Sequence, residues 1–246
     1  MLSVGTSVAG FRVDSVADVA DVGGRLWRMT YVQNGAELIW LERRDDIKTF
    51  VISFKTAPYD DTGVAHIIEH SVLCGSKKYP IKDPFREMRK NSVSVFMNAM
   101  TGNERTYYPF STRNDKDFLN LMDVYLDAVF HPRSVETPFA FQQEGFHFSI
   151  DEEAQRLTCN GVVYNEMKGA YADIGGRCVR EVLKGLYPRS SFGRDAGGSP
   201  DEINALGYEQ YKDFYKRHYH PSNARVFIDG AVEIEIVLGR IRRARN

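Results

Sequence analysis

The run His66-Ile67-Ile68-Glu69-His70 has the residue types and spacing to hold a metal ion and to activate a water molecule beside it. On an α-helix the two histidines lie about 6 Å apart along the axis and about 40° apart around it, so both imidazoles reach one ion. Glu69 projects next to them. In this inverted order the carboxylate is not a ligand: it takes a proton from the water and later hands it to a departing amine. The chemistry is amide hydrolysis, and one glutamate serves both proton transfers. The bland alternative is a pair of surface or capped histidines.

A catalytic zinc takes three protein ligands and keeps one position open, so another donor must come from elsewhere in the chain. Glu166 is the best candidate. It lies in Gly161-Val162-Val163-Tyr164-Asn165-Glu166-Met167-Lys168-Gly169, where apolar neighbours make an unpaired buried carboxylate costly. A surface glutamate on the same helix fits that pattern equally. His147, His218 and His220 are rival donors, and so is Cys74, four residues beyond His70.

These residues need a scaffold. Three β-prone runs, 26–32, 36–41 and 49–54, are separated by Asn34-Gly35 and Asp45-Asp46, which predicts an antiparallel meander. After Pro58, Asp60, Asp61 and Thr62 offer a helix N-cap, and Val64, Ile67, Ile68 and Val72 give an apolar face, so the His/Glu run is predicted to be helical. Strands are expected at 92–97 and 105–110. A long helix should follow Asn114, with Phe118, Leu121, Met122, Tyr125 and Val129 in the core and Pro132 as its stop. Further helices are expected at 138–144, 162–172, 176–186 and 200–219, and a closing strand at 224–229. The expected fold is α+β, an antiparallel sheet with helices packed on it. It forms a single domain over 1–246, with a core of about 24–232; residues 233–246 begin as a helix candidate and then become an Arg-rich, truncated or frayed tail. The edge at Ser94 to Thr101 would let a peptide add as an extra strand.

With 246 residues, 43% of them hydrophobic, the chain can bury a substantial core. Lys and Arg total 32 against 33 Asp and Glu, which gives no footing for nucleic acid or an anionic membrane surface. Three cysteines without metal-site spacing, no signal-like start and no long apolar run predict a soluble protein of a reducing compartment, the cytoplasm or an organelle matrix.

Several stretches, read in order, resemble the pitrilysin/insulinase-like metallopeptidases, specifically the presequence protease and falcilysin branch. They are His66 to Ser76, Lys82-Asp83-Pro84-Phe85, Asn98-Ala99-Met100-Thr101, Thr106 to Phe110, Asn120 to Phe130, Gln143-Glu144-Gly145 and Asn165 to Gly169. The resemblance implies that His66, His70 and Glu166 ligate one zinc ion, that Glu69 is the catalytic base, and that Asn98 and Ala99 belong to a substrate-binding edge strand. It also implies an endopeptidase that encloses short unstructured, targeting-peptide-like substrates between two halves. This chain then matches the metal-bearing N-terminal domain, and a C-terminal half or complementary subunit is expected as partner. Two other readings are a non-catalytic binding or assembly subunit and one chain of a two-subunit peptidase.

Overall fold

Alternation of buried and exposed residues along Phe11 to Val13, Trp27 to Tyr31 and Phe50 to Phe54 sets one face of a large sheet against helices. The computed structural model describes residues 2–151, 153 and 155–244. Along the chain come β1 (Ser7–Val8), β2 (Phe11–Val19), β3 (Gly24–Tyr31), β4 (Glu37–Glu42) and β5 (Lys48–Lys55). Then follow α1 (Val64–Ser71), α2 (Pro84–Asn91), β6 (Ser94–Met97), β7 (Met100–Gly102), β8 (Arg105–Thr112), α3 (Asp115–Phe130) and α4 (Phe139–Glu144). The hairpin β9 (His147–Asp151) and β10 (Arg156–Asn160) precedes α5 (Val162–Ala170), α6 (Ile174–Leu186), α7 (Tyr208–His218), β11 (Ala224–Asp229) and α8 (Ile234–Ala244).

The main sheet runs β1-β2-β3-β4-β11-β5-β8-β6, with β7 also paired to β8. Every pairing is antiparallel except β11 with β4. The fold is therefore the expected α+β arrangement. The meander is not continuous, however. Asn34-Gly35 does close β3 onto β4, with Gly35 at φ 75° and the Asn34 side chain accepting from the Ala36 amide. Asp45-Asp46 makes no hairpin, because β11 inserts between β4 and β5. Arg43 fixes the insertion by gripping Asp229 at the end of β11 with two hydrogen bonds of 2.6 and 2.5 Å. A local turn signal lost to a pairing almost two hundred residues away.

One apolar cluster joins the sheet to the helices. The α3 stripe is buried as expected, and Val237, Leu238 and Ile241 of α8 lie in the same cluster, as do Phe11 and Val13 of β2. The core thus extends on both sides of 24–232, and the expected tail is a packed helix to Ala244; Arg245 and Asn246 lie outside the described residues. One other expectation needs correction: the 200–219 helix is a short turn at Ile203–Ala205 followed by α7, with Gly207 between them. The elements α2, β2 and the β9–β10 hairpin were not among those expected. Among the described residues, no helix is long and apolar enough to cross a membrane.

Candidate active site

The helix that carries the His/Glu run is almost wholly buried, contacting α4, α5, α7, β7 and β8. Its start differs from expectation. None of Asp60, Asp61 or Thr62 caps it; the cap position is Gly63 in the left-handed conformation at φ 67°. Glycine is required there twice over, since a Cβ would also stand 2.6 Å from the Gly197 carbonyl oxygen. Asp61 instead turns inward, 1% exposed, and accepts from the Asp195 amide at 2.6 Å while pairing with Lys184 at 3.0 Å.

His66 and His70 face each other one turn apart, ring centroids 5.0 Å from one another. Glu166 of α5 reaches both: its Oε1 lies 3.7 Å from His66 Nε2 and its Oε2 lies 3.8 Å from His70 Nε2. All three ligand atoms fall within 4.8 Å of each other, the one such group of three found among the described residues. Donors sharing a tetrahedral zinc at about 2.0–2.1 Å stand about 3.4 Å apart, so the two Glu166 contacts exceed that spacing by a few tenths of an ångström and the set as a whole closes by up to about 1.4 Å around an ion. The remaining ring nitrogens are already engaged, which turns both Nε2 atoms toward the common point. His66 Nδ1 donates to the Gly197 carbonyl at 3.0 Å, and His70 Nδ1 donates to Glu144 Oε2 at 3.3 Å. The donor set and its support suit zinc.

Glu166 corrects one step of the sequence argument. Its side chain is 53% exposed, so it does not need a metal to offset burial; it reaches the histidines from the rim. The rival donors go elsewhere. His147 Nδ1 bonds the Gln142 carbonyl, His218 Nδ1 the Lys55 carbonyl and His220 Nδ1 the Ser222 hydroxyl. Cys74 points its sulfur at Glu144 Oε1, 3.5 Å away, and burial pushes its thiol far up, so it stays protonated. All three cysteines are unpaired.

Glu69 sits between the histidines in sequence and is 6% exposed. Burial raises its carboxyl above the usual range, with Glu166 adding to the rise and the Thr101 hydroxyl and both histidines opposing it. Glu144 goes the other way: burial would raise it, but hydrogen bonds from His70 and Gln143 prevail and hold it below its ordinary value. These same charges raise His70 despite its burial. Asn98 and Ala99 link β6 to β7 on the outer side of β8, with the Asn98 amide donating to the Pro109 carbonyl at 3.1 Å. Two open cavities of about 590 and 780 Å³ meet there, sharing Glu69, His70, Asn98 and Ala99 in their walls. A third cavity, about 920 Å³, lies among Arg25, Trp40, Lys48 and Ile236 and shares no residue with the metal cluster. Glu144 and Gly197 were the residues the sequence reading left without a role. The first stood inside a recognised stretch; the second acts through its backbone and carries no signal.

Residues 56–157 match the family model described as Insulinase (Peptidase family M16). The chain is 44% identical over 227 residues to Protein HypA of Clostridium perfringens, an alignment covering 92% of this chain and 23% of that protein. It is 42% identical over 221 residues to the chloroplastic/mitochondrial presequence protease 1 of Arabidopsis thaliana, covering 90% and 20%. To the mitochondrial presequence protease of Drosophila melanogaster it is 42% identical, covering 92% and 22%. The chain thus spans between a fifth and a quarter of the length of these relatives. Among solved structures, pitrilysin superposes with a TM-score of 0.72 at 17% identity, covering 96% of this chain and 24% of that one. The ferredoxin protease FusC superposes at 0.69 and 20% identity, covering 90% and 24%.

Proposed function

Because the chain carries an insulinase-type domain of peptidase family M16, we propose that it is the metal-bearing part of a zinc endopeptidase that cuts short unstructured peptides. The observation that carries this reading is the convergence of His66 Nε2, His70 Nε2 and a Glu166 oxygen around one point beside the buried Glu69. Zinc held by those three residues would keep an open position and lower the pKa of a water there to about 7. Glu69, its carboxyl raised by burial, takes a proton from the attacking water and returns it to the departing amine. Gly197 and Glu144 keep the two imidazoles turned so that their Nε2 atoms remain free for the ion.

The substrate lies along Asn98 and Ala99 as an added strand, held through backbone hydrogen bonds that take little account of its sequence. β6 supports this reading, being the terminal strand of the sheet with Val95 and Phe96 exposed. Peptides that are already extended fit such an edge best, in keeping with relatives named as presequence proteases. Because this chain spans only a fifth to a quarter of its relatives' length, donors to the far side of the reacting carbonyl come from a further part of a longer protein or from a second chain. Lacking them, this chain alone should turn over peptides about 10² to 10³ more slowly. An organelle interior, in keeping with relatives named as mitochondrial or chloroplastic, and the cytoplasm both suit three unpaired thiols.

The test is elemental zinc content of the wild-type chain, His70→Ala and Glu166→Ala, followed by fluorogenic peptide cleavage by wild type and Glu69→Gln. Near-stoichiometric zinc lost in both ligand variants, with Glu69→Gln keeping zinc but losing cleavage, is the expected result. Absent zinc, or cleavage unchanged in Glu69→Gln, sinks the peptidase reading in favour of a non-catalytic binding module.

A further inference from the structure

Resting on the zinc reading above, we propose that Asp195 is a positioning residue for the metal centre, tying the helix of the third ligand to the loop that orients the first. Its two carboxylate oxygens divide the work. Oδ1 accepts from the Gly197 amide at 2.9 Å, which curls the loop so that the carbonyl of that same residue faces His66. Oδ2 accepts from the Tyr171 hydroxyl at 2.9 Å and from Arg180 Nε at 2.7 Å. Tyr171 ends α5, the helix of Glu166, and the Arg180 guanidinium stacks over the Tyr171 ring at 4.4 Å. One carboxylate therefore sets the distance between the Gly197 carbonyl and the helix from which Glu166 reaches in.

The Asp195 amide donates to Asp61 Oδ1 at 2.6 Å, and the Ser199 amide donates to the Asp61 carbonyl at 2.7 Å, so both ends of the loop are pinned to the segment just before α1. Gly63 and Gly198 stack backbone on backbone, where a Cβ on Gly198 would stand 2.9 Å from the Gly63 Cα. A Cβ on Gly197 would meet the Met167 methyl at 2.8 Å. The Tyr171 phenol, pushed up first by burial and then by Asp195 itself, stays a donor throughout the working pH range. Asp195 is a support and not a ligand: its Oδ1 and Oδ2 are taken by the loop and the two side chains, and it is not in the His66, His70, Glu166 group.

The experiment compares zinc affinity, by competition with a chromophoric chelator, and the visible spectrum of the cobalt-substituted chain in wild type, Asp195→Ala, Asp195→Asn and Tyr171→Phe, with thermal melting of each metal-free protein alongside. Loss of a group that orients a metal ligand costs about 10- to 100-fold in affinity. Asp195→Ala should show that loss with an altered cobalt spectrum. Asp195→Asn should recover part of it, and Tyr171→Phe should weaken zinc by a smaller factor. The Asp195→Ala loss should also persist in a Glu144→Ala background, because that variant leaves the His66 arm intact. Wild-type affinity and spectrum in a stably folded Asp195→Ala overturn the inference and leave the zinc reading standing. If Asp195→Ala does not fold, Tyr171→Phe decides: unchanged zinc affinity there overturns the inference. A wild-type chain that binds no zinc overturns both.

Discussion

His66 and His70 share one helix and one expected role, yet they are held by opposite means. His66 is fixed by a neutral backbone carbonyl from a glycine loop, itself anchored through Asp61 and Asp195. His70 is fixed by the buried carboxylate of Glu144, which also accepts from Gln143 and Cys74. A carbonyl orients an imidazole, while a carboxylate both orients it and adds negative charge beside it, making the ring a stronger base. The helix supplies spacing for both histidines, but orientation comes separately from segments far along the chain. The His66 arm depends on backbone shape and the His70 arm on one side chain, and each should fail in its own way.

The largest expected effect treats the arms alike: His66→Ala and His70→Ala should each abolish stoichiometric zinc, measured by elemental analysis. Chelation of wild type should lower its melting temperature for the same reason. At free zinc about a thousandfold above Kd, the bound ion stabilises by about 4 kcal/mol. If only one histidine variant lost zinc, the shared role would be wrong.

Glu144→Gln should separate the arms. It keeps shape and hydrogen-bonding capacity but removes the charge, and zinc affinity should fall about 10- to 100-fold with little change in fold. An unchanged affinity would mean that His70, like His66, needs orientation only. Gly63→Ala attacks the other arm through the backbone. A non-glycine residue at φ 67° with its Cβ 2.6 Å from the Gly197 oxygen should cost about 1–3 kcal/mol in urea unfolding, and should weaken zinc about tenfold as the carbonyl is displaced. The smallest effect belongs to Cys74→Ser. The thiol makes only weak hydrogen bonds, to Glu144 and to the His70 carbonyl, so zinc affinity should change by about twofold or less. A larger loss would promote Cys74 to a working part of the His70 arm.

Asn34-Gly35, the α3 stripe and the apolar face of α1 were legible because each is a local pattern whose physics is complete within a few residues. The β4 to β5 connection was misread for the converse reason. Asp45-Asp46 carries a good turn signal, but the neighbour of β4 is decided by β11 and the Arg43 to Asp229 pair. The N-cap of α1 failed similarly. Asp60 and Thr62 satisfy each other, and Asp61 is drawn off to the Asp195 loop, leaving a left-handed glycine at the helix start.

By itself the sequence determined how His66, Glu69 and His70 are spaced. His66, Glu69 and His70 are bound to share a face once the segment is helical, because helical geometry leaves no choice, and their types name the chemistry. Tertiary structure decided everything that required two distant segments to meet: that Glu166 reaches from the rim and not from a buried position, that Glu144 is the partner of His70, and that a carbonyl at Gly197 is the partner of His66. The physical reason is the range of the interactions. Helix periodicity is written in neighbouring residues, whereas a backbone carbonyl is identical at every position and acquires its role only from where the fold puts it.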